Sequence, residues 1–320
     1  MALNCVCLIR DGHATNGFGE GRVAESGRRK DARSDVRDEP GNDGGRCRTA
    51  SGHRGRAAAH SCPSSKWQVD YAPNECRLIR IFGEGKDRTI LQLSRYDPVD
   101  RLEMLLAGPH IPATDKRVPV SVATSTMAEV PGIQAQGFAS TGQIPATLRF
   151  RPDDDLPKAF RSDVAAGKPT IMRVNFVRRY VAQFDLGPMK GALAALDQCS
   201  DDLIKSWGLD PAALRQATRG PRPVGNIATW FRPDDYPAGA ANIGMAGAVI
   251  IRLLVGPDGR IRNCAVTKSG GYKVFQDATC QAATKRGSFE PAIGADGKPM
   301  ASVWVQRINW EPGTPFFIVR

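Results

Sequence analysis

The 320-residue chain lacks several things that would give its function away. It has only four histidines. It contains no His-Glu-x-x-His, no Gly-x-Ser-x-Gly and no other nucleophile–base signature, so little is left for general acid–base or nucleophilic chemistry. His110 stands alone beside Pro109, and Asp153-Asp154-Asp155 reads as a solvated acidic loop. Gly17-Phe-Gly-Glu-Gly21 has no strand before it and no helix after it, so it is not a phosphate loop. These gaps predict a protein that is not an enzyme and needs no cofactor. No apolar run reaches the ~20 residues of a membrane-spanning helix. The longest, Ala246 to Val255, is interrupted by Arg252. Val6, Leu8 and Ile9 do not amount to the apolar core of a signal peptide.

What is present suits a chain of about two domains. The 41% apolar content is ordinary for a globular chain of this length. Formal net charge is +11. The basic residues are interspersed with acidic ones and lack interleaved aromatics, which argues against a nucleic-acid partner. None of the eight cysteines has zinc-ligand spacing, so no metal is expected. Widely spaced cysteines inside patterned segments suit disulfides in an oxidising compartment.

Residues 1–62 are rich in Gly and Arg, have a single Phe, and contain no Trp or Tyr. They read as a disordered arm, or as sequence upstream of the true start. From residue 63 the pattern is of short strands. These are Trp67–Tyr71, Cys76–Phe82, Thr89–Ser94, Leu102–Leu106, Val118–Thr124, Gln134–Ala139, Thr147–Phe150 and Ile171–Val177. Arg178–Phe184 either continues the last of these or leads out of it. A helix over Met189–Trp207 closes this β-rich antiparallel domain, which is taken as 63–210. Cys76 and Cys199 alone lie inside its patterned core segments, which predicts a Cys76–Cys199 bridge. Pro211–Ala217 has the makings of a helical turn, and the rest of the Pro- and Gly-rich residues 211–229 reads as a linker.

The C-terminal part has the most specific pattern. Tyr236-Pro237 is followed by a short helical stretch and the strand Gly247–Val255. Gly256-Pro-Asp-Gly259 then turns into a second strand ending at Ser269-Gly270. A helix over Lys273–Lys285, Phe289-x-Pro291-Ala292 and the strand Ser302–Trp310 complete it. Val249, Ile251, Leu253 and Val255 share one face at period two. Ala248, Ile250 and Leu254 share the other with Arg252, marking either an interface or a covered surface.

These landmarks, in this order, resemble the TonB C-terminal domain over about residues 230–311, with 312–320 left as a tail. Phe275-Gln276 departs from the family's Leu-Asp. The resemblance implies an α+β fold in which a three-stranded antiparallel sheet carries two helices on one face. It also implies a periplasmic or cell-envelope protein that engages a segment of an outer-membrane, receptor-like protein partner by β-strand pairing. The implied docking strand comprises Ser302, Val303, Trp304, Val305, Gln306, Arg307, Ile308 and Asn309. The other reading of that strand is that it simply completes the sheet, with Trp304, Ile308 and Trp310 in the core. An envelope interaction protein with no energy-transducing role is the alternative function. With Cys264 mid-strand and Cys280 on the helix packed across it, a Cys264–Cys280 disulfide is expected.

Overall fold

A computed structural model describes residues 33–35, 58–96, 98, 101–152, 154–176, 180–269, 273–312 and 318–319. It divides into two compact units, one ending at Ser200 and the other comprising Tyr96–Val99 and Asp201–Arg320.

The first unit is built on one sheet. Along it, neighbours run Arg33–Asp35, Gln68–Ala72, Glu75–Phe82, Thr89–Arg95, Glu103–Ala107 and Thr147–Phe150, then Val130–Phe138, Arg117–Thr124, Thr170–Phe176, Tyr180–Gly187 and Ala58–Ser61. Pairing is antiparallel except for Ala58–Ser61, which runs parallel to Tyr180–Gly187. Alternation explains the core. Leu78, Phe82, Leu91, Leu93 and Leu106 all point inward and are fully buried. The expectation for residues 1–62 falls mostly outside the described residues. Within that range, Arg33–Asp35 pairs with Gln68–Ala72, and Ala58–Ser61 begins the sheet before residue 63.

Two features differ from the sequence reading. Tyr180–Gly187 is a separate strand, paired back onto Thr170–Phe176. Of the acidic run, Asp155 is not in a loop but opens an 11-residue helix, Asp155–Ala165. Carboxylates are favoured there by the positive end of the helix dipole. The helix buries Leu156, Ala159 and Phe160.

The helix Lys190–Ser206 closes this unit, and Cys199 on it bonds to Cys76 with a Cα separation of 5.9 Å. Trp67 is fully buried and donates its indole N–H to the Leu186 carbonyl at 3.2 Å. Arg80 caps the same carbonyl at 2.7 Å. The carboxylate of Asp197 joins Arg95 at 2.6 Å and Arg161 at 3.0 Å. Burial opposes its charge, but hydrogen bonds from Arg161 and Arg95 outweigh that and hold its pKa below the usual carboxylate value.

A group depressed in the fold stabilises it fully above the unfolded-state pKa, about 4 for Asp. That contribution is lost as pH falls through the lower folded value. Asp197→Asn should therefore flatten the loss of stability of this unit below about pH 4. Urea melts between about pH 2 and pH 5 would check this, and an unchanged slope would refute it.

The second unit centres on an antiparallel sheet ordered Ile261–Ser269, Gly247–Val255, Ser302–Trp310 and Ile318–Val319. The 14-residue helix Lys273–Arg286 packs on the face presented by Val249, Ile251, Leu253 and Val255. Gly247 allows that closeness, since a Cβ there would lie 2.8 Å from the Phe275 ring. Ala238–Asn242 is a five-residue helix that gives Ala240 to the core. Trp230 and Phe231, from or beside short 3₁₀ turns, fill the rest. Cys264 and Cys280 are bonded, Cα to Cα 5.6 Å, tying strand to helix. In the chain-entropy account a loop of this size contributes about 3 kcal/mol. Cys62 is disulfide-bonded as well.

Part of the stretch that reads as linker pairs with this unit. Asp210 caps the helix Pro211–Gln216 by accepting from the Ala212 N–H at 2.8 Å. Arg222–Pro223 pairs with Phe289–Glu290, and Arg219 meets Glu290 at 2.9 Å. Proline and glycine signal a break in regular structure, but they do not prevent short ladders on an edge.

Gly259 turns the hairpin with φ +75°, and a Cβ there would fall 1.9 Å from the Phe289 carbonyl oxygen. The Phe289 N–H donates to the Gly259 carbonyl at 3.0 Å, so the turn is also an anchor for the chain leaving the helix. Gly259→Ala combines a disfavoured φ with a backbone clash and should cost about 2–3 kcal/mol. A denaturant melt that moved by less than about 0.5 kcal/mol would show that the turn relaxes freely.

A candidate docking edge

The strand Ser302–Trp310 owes its place to its pattern. Trp310 and Ile308 face the helix and are fully buried. Trp310 donates its indole N–H to Thr279 Oγ1 at 2.8 Å and stacks on Phe275 with centroids 5.5 Å apart. Trp304 is half-buried on the same face, 5.3 Å from the Phe289 ring and 5.9 Å from that of Trp230. Ser302 is also buried. On the opposite face Val303 and Asn309 are buried, Val305 is half-buried and Arg307 is exposed. Arg307 Nε donates to Asn309 Oδ1 at 3.0 Å, and Gln306 Nε2 donates to the Arg307 carbonyl at 3.2 Å.

The eight residues expected to dock therefore separate by burial. Ser302, Val303, Ile308 and Asn309 are packed into the fold, and Trp304 largely so. Val305, Gln306 and Arg307 keep accessible side chains. Any recognition by the strand is carried by its backbone and by those three.

The backbone geometry differs between the two sides of the sheet. Ser302–Trp310 pairs with Gly247–Val255 in unbroken register, from Val255↔Ser302 to Gly247↔Trp310. Ile261–Ser269, at the other edge, is interrupted by two register shifts. Such irregularities and the flanking Arg260, Arg262 and Lys268 guard an edge against pairing. On the outer side of Ser302–Trp310, Ile318–Val319 pairs only with Ile308 and Arg307. Among the described residues, Ser302–Gln306 has no strand on that side. Sequence reading missed this tail contact because two residues carry no periodicity.

The apolar second face is partly covered. Arg252 lies at its centre, 9% exposed, with its guanidinium 3.9 Å from the centroid of the Trp207 ring. Burial lowers the pKa of Arg252 from its ordinary value, and the indole face supplies an electrostatic partner.

Among the described residues no cluster of His, Cys, Asp or Glu could hold a metal ion, and no helix is long and apolar enough to cross a membrane. No curated protein matches the chain. Residues 232–312, from the 3₁₀ turn before Tyr236 to just beyond the edge strand, match the family described as the Gram-negative bacterial TonB protein C-terminal.

Proposed function

We propose that this protein is a bacterial envelope binding protein that takes an extended segment of a protein partner, of the outer-membrane receptor kind, onto the edge Ser302–Trp310. The observation carrying this reading is the contrast between the sheet's two edges. One is a nine-residue strand in unbroken register, paired on its outer side, among the described residues, at Arg307 and Ile308. The other carries two register shifts. An added strand gains main-chain hydrogen bonds from the open part of the edge, and side chains of alternate residues supply choice. Arg307 favours an acidic residue opposite it.

The disulfides Cys76–Cys199 and Cys264–Cys280 favour an oxidising compartment such as the periplasm. The match to a TonB C-terminal family favours a transport-related, non-enzymatic role. An envelope interaction protein that transmits no force shares the same edge and differs only downstream of binding. A photo-crosslinking residue placed at Gln306 in cells should capture an envelope protein, while one at Asp258 in the hairpin turn should not. Equal capture at both positions would remove the edge from the account.

A further inference from the structure

The first unit holds a feature that the docking edge does not use. The antiparallel order of its strands brings three connections, 83–88, 108–116 and 139–146, to one end of the sheet. Between them lies an open cleft of about 410 Å³, within the size range of small-molecule sites. The connections are tied together. The Gly108 N–H donates to the Ala146 carbonyl at 3.1 Å, and Asp115 Oδ1 accepts from the Ala139 N–H at 2.9 Å.

Lys86, Arg88, Ser140, Gln143, Pro145 and the largely buried Ile111 are among the residues that line the cleft. Both cations are exposed, and neither meets a carboxylate among the described residues. Two nearby acids have partners of their own. Asp87 lies 3.4 Å from His110, and Asp115 holds the Ala139 N–H. Glu84 stands exposed in the same turn as Lys86.

We infer that this cleft binds a small organic anion, a carboxylate or phosphate carried on an apolar body. The charged head meets Lys86 and Arg88, with Ser140 and Gln143 as further hydrogen-bond partners. The apolar body lies along Ile111 and Pro145. Arg88 offers a forked donor set suited to either oxyanion. Because the site is open to water, binding is weak, with a Kd on the order of 1 mM.

The full chain would be titrated with phenyl phosphate, phenylacetate, inorganic phosphate and benzyl alcohol, with amide shifts as the readout. Saturable shifts confined to the three connections are expected for phenyl phosphate or phenylacetate, and the stronger of the two identifies the preferred oxyanion. Inorganic phosphate and benzyl alcohol should each bind about tenfold or more weakly, lacking one half of the contact. Lys86→Ala with Arg88→Ala should weaken binding at least about tenfold, with an unchanged melting temperature because both residues are exposed. The inference is overturned if neither aromatic anion saturates, if shifts scatter over the basic surface, or if the double variant binds as the parent does.

Discussion

Replacing Cys76 and Cys199 together with alanine should destabilise the first unit by about 4–5 kcal/mol, the largest single loss in stability expected for this protein. The bridge spans 123 residues, and in the chain-entropy account a loop of about 100 residues contributes about 4.7 kcal/mol. Both cysteines are buried, one on a central strand and the other on the closing helix. Removing the bond therefore frees the two ends of the unit from one another in the unfolded chain. Alanine also leaves small voids where the two buried sulfurs were, whose effect adds to the loss. Denaturant unfolding of the oxidised parent and of the double variant measures this directly. A difference below about 1 kcal/mol would show that the packing of Lys190–Ser206 holds the unit closed without the bond.

The second large effect concerns binding. Val305→Pro removes one backbone N–H donor from the strand Ser302–Trp310 and places a ring where a neighbouring strand must approach. Partner binding should fall at least about a hundredfold, equivalent to about 2.7 kcal/mol. Some stability is lost too, because Val305 sits opposite Arg252 in the ladder with the central strand. Arg307→Glu is the cleaner companion. It keeps the backbone, inverts the charge of an exposed side chain and should weaken an acidic partner about tenfold. Deleting residues 312–320 should act in the opposite direction. The tail pairing at Arg307 and Ile308 occupies part of the same edge, so its removal should strengthen binding. If an envelope partner keeps its affinity for Arg307→Glu and Val305→Pro merely unfolds the domain, the strand is structural and the contact surface lies elsewhere.

Much of this fold was legible in the residues because alternation is a direct consequence of strand geometry. Val249, Ile251, Leu253 and Val255 had to share a face, and Gly256-Pro-Asp-Gly259 had to reverse the chain. The same logic placed Cys76 and Cys264 on strands that face helices. Other parts escaped because their order comes from partners distant in sequence. Arg222–Pro223 looks like linker until Phe289–Glu290 lies beside it, and Trp230 enters the core from a 3₁₀ turn with no hydrophobic period of its own. Asp155 read as solvated loop because a helix N-terminus and an acidic loop share the same residues.

The candidate edge was legible only as a strand. Its alternation gave the buried Ile308 and Trp310, whereas the openness of its outer side depends on where the sheet ends. That is a property of topology, and no local pattern encodes it. The short tail contact at Ile318–Val319 is invisible for the same reason.

The central claim is that the strand Ser302–Trp310 takes up a partner strand on its outer side. Amide hydrogen exchange of the full chain, with and without the crosslinked partner's extended segment, tests it most directly. The account predicts that alternate amides in Ser302–Gln306 exchange quickly in the free protein and become strongly protected in the complex, while amides of Gly247–Val255 stay protected throughout. Protection of the Ser302–Gln306 amides already complete in the free protein, or unchanged on binding, would contradict it.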